Sequence, residues 1–493
     1  MPASRQRPKF VVVVFDGLRR DMLTPALAPN ITTFIAGGCD FPRSRSVFPT
    51  ETRVNTTSLA SGARPTRHGI VANAFIDPTL PGAELFDTSN LERLALAERI
   101  YEGRIVTATQ MGEVMAGAGL KQASVSTGTV GNARLINARA SVLGHATFSV
   151  HGVDASTAAA GYAAVAARLG PTPAKTMPGE ALVRYGTDVL LAHILPEHAP
   201  DVATLWYAEP DTTYHYRGVG SEASRAATAA VDREFGRVLD WWRGSPEHDR
   251  IQIVAMSDHG HVVSRGRIDL MAEMKAAGFR AGKRLQPDID VVIVPGYCSK
   301  IRVRDGDPAL MVRLAAWLRE QPWCGMLFAA PRNEVEGVVE GTFSRALAGA
   351  DHERAPDLYL VLRTDDDTAE DGIPGGCWTD NPDIPVGGGV HGGLHPLELN
   401  NLLSAQGSLF REGFVSDMPC GIIDIAPTIL AALGLERPAG MEGRVLGEAL
   451  THGAADAGGR RTDVETGAGD YRQTLRFSSV GRVVYLDGGK RAD

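Results

Sequence analysis

The sequence predicts an α/β protein: a doubly wound, mostly parallel sheet with helices on both faces, carrying an inserted α+β cap. Three observations point there. Short apolar, largely β-branched runs of strand length alternate with longer segments of helical periodicity. Several of those runs end directly in an acidic residue or a Gly/Pro turn, which puts polar chemistry at strand carboxyl ends. A block over residues 264–385, with strand and helix signals of its own, interrupts the alternation.

The first run, residues 10–15, is closed by Asp16-Gly17 and reads as a buried parallel strand delivering a carboxylate. Comparable strands are expected at 123–126, 202–207 and 251–256. The last two run into Glu209-Pro-Asp211 and Ser257-Asp-His-Gly260. Helical patterns lie between them at 91–101, 107–118, 155–169, 182–195 and 222–242. The inserted block shows strands at 291–294, 301–303, 326–329 and 358–362, a helix at 310–320, and a Gly/Pro/Asp-rich stretch at 365–389. Residues 421–433 and 438–446 read as a helix, a turn and a short continuation. Residues 453–459 read as a loop, and 475–486 as a strand joining an edge or a small terminal sheet. The expected organisation is a core in two parts, 1–263 and 386–493, with the cap 264–385 between them.

The chain has 493 residues, 44% hydrophobic and 22% charged, an ordinary globular composition. This length suits one large domain with an insertion, or two to three domains. Fifty basic residues against 58 acidic ones give a net charge of −8, and no basic cluster is long enough to track a nucleic-acid polymer. A small anion stays compatible, because bound cations reverse the local field. Five scattered cysteines without CxxC spacing argue against a disulfide framework or a thiolate zinc site, and a reducing, cytoplasmic setting is expected. The apolar run at 11–15 is too short for a secretion signal, and no stretch approaches membrane-spanning length. Monomer and homo-oligomer are both compatible with this composition.

Candidate chemistry comes in short packets. An isolated Asp-Gly such as Asp16-Gly17 ordinarily makes a turn; the packets downstream change that reading. Phe48-Pro-Thr-Glu-Thr52 suggests a tight turn into a helix N-terminus, where backbone N–H groups favour an anion. Thr50, directly after the proline, is the candidate nucleophile, with Thr52, Thr56 and Ser58 as competing hydroxyls and an N-cap as the plain alternative. In Arg67-His-Gly-Ile-Val-Ala-Asn73, His68 is expected to fix the turn, and Asn73 offers an amide to a developing oxyanion. Asp211 and His215 stand at i and i+4, one turn apart on one helix face, so both reach one cation. Asp258 and His259 approach a metal from consecutive positions, with His261 as a competing imidazole. His391 is flanked by Gly387–Gly389 and Gly392–Gly393, with His395 as its competitor. Three Asp and three His form the inventory for two divalent cations. Oxygen and nitrogen ligands without thiolate suit Zn2+ first, then Mn2+ or iron. The remaining histidines (145, 151, 193, 198, 248, 352 and 452) lack such company.

These packets, in this order, resemble the alkaline phosphatase superfamily and within it the nucleotide pyrophosphatase/phosphodiesterase branch. The matching residues are Phe15-Asp-Gly17, Phe48-Pro-Thr50, His68 to Asn73, Glu209-Pro-Asp211 with His215, Ser257-Asp-His-Gly260 and His391-Gly392. Ile423 to Gly434 and Gly440-Met-Glu-Gly443 look like that family's C-terminal core. The resemblance implies an alkaline phosphatase-like core. Asp211, His215 and His391 would hold one zinc, and Asp16, Asp258 and His259 the other. Thr50 would be the nucleophile bridging toward the second metal, and Asn73 the oxyanion donor. The implied activity is a two-metal hydrolase cleaving phosphodiester or nucleotide pyrophosphate-type bonds through a phospho-threonine intermediate.

Phosphonoacetate hydrolase is similar in its ligand set, and His391-Gly-Gly-Leu394 resembles its final packet. That family uses lysines to hold a carboxylate where this chain has Ser124 to Asn132, with Lys121 the only lysine near. The alternatives are therefore a carbon–phosphorus hydrolase of that kind, or a catalytically silent metal-binding sensor of a phosphate ester. Thr50 is followed by Glu51-Thr52-Arg53, so the Cys-x-Pro-x-Arg segment of sulfatases is absent. A small phosphate ester or phosphonate is the expected partner.

Overall fold

In the computed structural model, which describes residues 7–81, 85–368, 372–454 and 458–492, the strand Lys9–Phe15 lies inside an eight-stranded sheet. Val202–Tyr207 and Ile251–Met256 flank it, both parallel, and Val14 stands level with Trp206 on one side and Met256 on the other. Three strands therefore end side by side and release their following residues at one edge. Gln122–Ser126 and Ala146–Ser149 extend the parallel array beyond Val202–Tyr207. Beyond Ile251–Met256 the pairing reverses: Leu403–Gln406 runs antiparallel, followed by Cys39–Asp40 and Phe414–Val415.

Both faces of this sheet are covered. Val11, Val13 and Phe15 pack with Leu205, Tyr207 and Phe235 on one side. Phe10, Val12 and Val14 enter a second, larger core on the other. A strand buried on both faces needs no polar alternation, which explains the unbroken apolar runs. The helix Glu222–Gly244 lies over the first face, where Asp232 anchors the helix Pro29–Gly37 by accepting from the Ile31 N–H at 2.8 Å.

Between residues 281 and 362 a second, six-stranded sheet forms, with Cys298–Val303, Leu358–Leu362 and Cys324–Ala329 antiparallel in its middle. Its interior is continuous with the larger core. The Phe48 ring sits 5.2 Å from Phe328 and 5.4 Å from Tyr359. A four-stranded sheet of Thr364–Thr368, Pro374–Thr379, Val262–Arg267 and Gly389–Val390 connects this block to the segment after His261.

Several expected elements are corrected. The helix expected from 107 begins at Met111, because Gln110 and Glu113 form a capping box there. The helix expected over 155–169 is confined to Tyr162–Leu169, since Gly161 (φ 62°) breaks the chain before it. Residues 438–446 carry no helix. The expected tail strand is a meander of Arg460–Ala468, Tyr471–Val480 and Val483–Ala492, divided by a turn at Gly481 (φ 58°). Of the loop expected at 453–459 and the stretch 365–389, residues 455–457 and 369–371 lie outside the described residues.

Candidate metal centre

The adjacent strand ends build the site. Asp16 follows Lys9–Phe15 directly, and Gly17 (φ 68°) turns the chain so that its N–H donates to Asp258 Oδ1 at 3.0 Å. A Cβ on Gly17 would lie 2.4 Å from the His261 ring, so only glycine fits. Asp211 is the first residue of the helix Asp211–Arg217, and His215 lies one turn on, as the i, i+4 spacing predicts. Asp258 and His259 follow Ile251–Met256, and His391 follows Gly389–Val390.

Two groups of donor atoms result: Asp211, His215, His261 and His391 in one, Asp16, Asp258 and His259 in the other. All six predicted carboxylates and imidazoles join them. His261, which the sequence left as a competitor of His259, joins the first group. Asp211 Oδ1 is 3.1 Å from His261 Nε2, 3.3 Å from His215 Nε2 and 3.4 Å from His391 Nε2. In the second group His259 Nε2 is 3.2 Å from Asp258 Oδ2 and 3.7 Å from Asp16 Oδ1.

The donor chemistry fits cations. Each imidazole directs Nδ1 at a backbone carbonyl: His215 at Gly389 (2.7 Å), His391 at Thr50 (2.7 Å), His259 at Gly260 (3.1 Å) and His261 at Gly17 (3.1 Å). A carbonyl oxygen only accepts, so Nδ1 carries the proton and Nε2 is left as a bare ligand. Nε2 of His215 and Nε2 of His391 face each other at 3.2 Å, lone pair to lone pair unless a cation or proton lies between. Asp211 Oδ1, Asp258 Oδ2 and His261 Nε2 are buried without a hydrogen bond. Buried polar atoms left unpaired are costly; a cation in the first group would satisfy Asp211 Oδ1 and His261 Nε2, and one in the second Asp258 Oδ2.

The electrostatics agree. Burial, then repulsion from Asp258 and Asp211, drives the Asp16 carboxyl well above its ordinary range. Burial also raises Asp258. Burial would raise Asp211 too, but His215 and His261 hold it well below the usual value. Burial and the facing His259 depress His391 strongly. Three carboxylates crowded in one buried volume call for compensating positive charge.

Thr50 does not join them, which corrects the expectation for its hydroxyl. It is buried, donates to Glu398 Oε2 at 2.7 Å and accepts from the Gly392 N–H at 2.8 Å, so it faces the loop that holds His391. Thr52 takes the place beside the ligands: its Oγ1 lies 3.1 Å from His259 Nε2 and 3.4 Å from Asp16 Oδ1. Thr52 opens the helix Thr52–Ser61, with Glu51 as its N-cap. The signal available in the sequence was the position of that helix start; proximity to Pro49 favoured Thr50, the hydroxyl that faces away from these donor atoms. Thr56 donates back to the Thr52 carbonyl, and Ser58 meets His68, so neither faces the ligands. His68 also accepts the Ile70 N–H and fixes its turn, as expected. His395 stands apart, 3.2 Å from Asp366.

Asn73 Oδ1 accepts the Arg53 N–H at 2.9 Å, which leaves the amide NH2 as the group it offers to the site. Its own N–H donates to Glu51, whose other oxygen pairs with Lys300 of the second sheet. A cavity of about 410 Å3 runs from Asp16, Thr52 and Asn73 out to His151 and Lys175. Lys175, rather than Lys121, is the lysine that lines it.

A family model described as type I phosphodiesterase / nucleotide pyrophosphatase matches residues 10–365. Venom phosphodiesterase 2 of Crotalus adamanteus is 26% identical over 277 residues, covering 55% of this chain and 29% of that protein. The bis(5'-adenosyl)-triphosphatase enpp4 of Xenopus laevis is 38% identical over 76 residues, covering 15% of this chain and 17% of that protein. The chain thus spans less than a third of the length of either relative. Murine ectonucleotide pyrophosphatase/phosphodiesterase 5 shares the fold, with a TM-score of 0.62, 18% identity, and coverage of 90% of this chain and 100% of that one. An inactive threonine-to-alanine variant of the same murine protein, in complex with AMP, aligns with a TM-score of 0.61, 18% identity and the same coverage.

Proposed function

The chain belongs to the type I phosphodiesterase / nucleotide pyrophosphatase family, and from that premise we propose that it hydrolyses phosphodiester or nucleotide pyrophosphate-type bonds through a phosphorylated Thr52. The observation that carries this reading is the Thr52 hydroxyl standing beside His259 and Asp16 at a helix N-terminus. The inactive AMP-bound murine neighbour, which carries a Thr→Ala change, supports a threonine in this role.

Asp211, His215, His261 and His391 would hold one divalent ion, and Asp16, Asp258 and His259 a second, with Zn2+ suiting the donors first and Mn2+ or iron next. Bound there, the pair supplies charge neutralisation at the phosphoryl group and a lower pKa for the threonine hydroxyl. Thr52 Oγ1 forms the new bond to phosphorus as the ester P–O bond breaks, and the departing oxygen takes a proton. Water then adds to phosphorus as the Thr52–phosphorus bond breaks, its proton passes to Thr52 Oγ1 to restore the hydroxyl, and a phosphomonoester is released. The Asn73 amide NH2 donates to a non-bridging oxygen. The four Nδ1–carbonyl bonds hold the imidazoles still throughout. The substrate is a small phosphate ester, and five free, buried cysteines support a reducing, cytoplasmic setting.

The test is a parallel assay of the Zn2+- or Mn2+-loaded protein on bis(p-nitrophenyl) phosphate, p-nitrophenyl phosphate and phosphonoacetate. Cleavage of the diester, lost on Thr52→Ala with metal content intact, is the expected result. Exclusive cleavage of phosphonoacetate would install the carbon–phosphorus reading instead. Metal binding without turnover of any of the three would leave a phosphate-ester sensor.

A further inference from the structure

A second cavity, about 250 Å3, adjoins His215 and His391 and is lined by the segments around Tyr297 and Asn381 of the inserted block. Neither Thr52 nor Asp16 lines it, whereas both line the wider cavity. Displacement in line puts the entering and departing oxygens on opposite sides of phosphorus. With Thr52 entering from the wider cavity, the departing arm of a diester is directed to the smaller one.

We propose that this smaller cavity is the subsite for the departing arm, and that it takes an uncharged, hydroxyl-bearing alcohol rather than a phosphate. The inference rests on the phosphodiesterase reading above. Three features of the lining select that chemistry. Thr379 is fully buried, yet its Oγ1 has no hydrogen-bond partner. A buried hydroxyl left unpaired is costly, so this one is met by a polar guest. Lys300 is the one ammonium or guanidinium among the described lining residues, and its charge is already taken up by Glu51. Asp383 adds an exposed carboxylate on the same wall, which repels a second phosphate. The cavity is also below the usual range of about 300–1,000 Å3 for ligand pockets, which suits a short polyol rather than a nucleoside.

The arm leaves as the ester P–O bond breaks, its oxygen taking a proton to become the free alcohol. The test uses three substrates sharing a thymidine 5'-phosphoryl group and differing in the departing arm: glycerol, p-nitrophenol, or phosphate. The metal-loaded wild type is compared with Thr379→Val and Asp383→Asn. Thr379→Val is expected to lower kcat/KM on the glyceryl ester about tenfold more than on the p-nitrophenyl ester. Asp383→Asn is expected to raise kcat/KM on the phosphate-bearing substrate relative to the glyceryl ester. Equal losses on all three substrates in Thr379→Val, with an unaltered ratio in Asp383→Asn, would overturn the subsite while leaving the hydrolase standing. No turnover of any substrate by the wild type would sink the hydrolase reading, and the subsite with it.

Discussion

The Thr50 hydroxyl donates to the Glu398 carboxylate across 2.7 Å, and that bond turns it away from the two groups of candidate metal-binding residues. Glu398 is completely buried and also accepts from the N–H groups of Gly392, Gly393 and His395 and from the Tyr297 hydroxyl. One carboxylate thus ties the turn before the helix Thr52–Ser61 to the loop carrying His391. The Thr50 carbonyl completes the link by accepting from His391 Nδ1.

The two threonines should separate cleanly. Thr52→Val is expected to lower diester turnover by at least about a thousandfold, the scale of losing a nucleophile. Thr50→Val should keep most of the turnover and instead lose about 1–2 kcal/mol of stability in urea. Equal effects on turnover would contradict the assignment.

Glu398→Gln swaps a buried acceptor for a group that brings two donors into a site already full of them. Unfolding in urea should report a loss of about 2–3 kcal/mol, because several bonds to one charged acceptor weaken together. A variant as stable as the wild type would show that the carboxylate is not the hub.

His261→Ala should weaken binding of one of two metal ions by about 10–100-fold, the range seen when a group supporting a metal site is removed. The other ion, at Asp16, Asp258 and His259, should bind as before. Zinc titration with a chromophoric competitor distinguishes one weakened site from two, and no weakening would place His261 outside the coordination.

Asp424 gives a pH signature away from the metal ligands. Its carboxyl is pushed up to about 6 by burial, against bonds from Arg444 N, Gly421 N and the Tyr485 hydroxyl. The folded state therefore holds this proton more tightly than the unfolded chain. Its contribution is complete below about pH 4 and is lost as pH rises through about 6. The stability gap between wild type and Asp424→Asn should shift in the variant's favour by roughly 2 kcal/mol between pH 4 and 7. A gap constant with pH would refute the shift.

Phe328→Ala should cost about 3–5 kcal/mol, because the buried ring packs against Phe48 of the turn before the helix Thr52–Ser61 and against Phe343 of its own sheet. A single cooperative transition by calorimetry, lowered as one, is expected. Two separated transitions would mean the sheets unfold independently.

The residues of the two candidate metal-binding groups were legible because each announces itself locally. Asp16 and Asp258 close apolar runs, Asp211 and His215 keep helical spacing, and His391 stands among glycines. The parallel strands of the core were legible for the same reason, since burial on both faces leaves an unbroken apolar signature. His261 was not resolved from His259, because its place beside Asp211 depends on how close two strand ends approach. Thr50 was preferred to Thr52 because the helix that separates them starts at Thr52, three residues past Pro49, while the Glu51 carboxylate before it is taken by Asn73 and Lys300 and makes no side-chain cap. Two-residue strands such as Cys39–Asp40 and Phe414–Val415 owe their existence to neighbours and carry no pattern of their own.

The continuity of hydrophobic interior between the two sheets has a functional cost and a functional use. A lid hinged on polar linkers swings aside to admit its guest, but a wall anchored by Phe48 against Phe328 and Tyr359 does not. Changes of preference at that wall are therefore expected to come from exchanged side chains on its surface instead of altered motion.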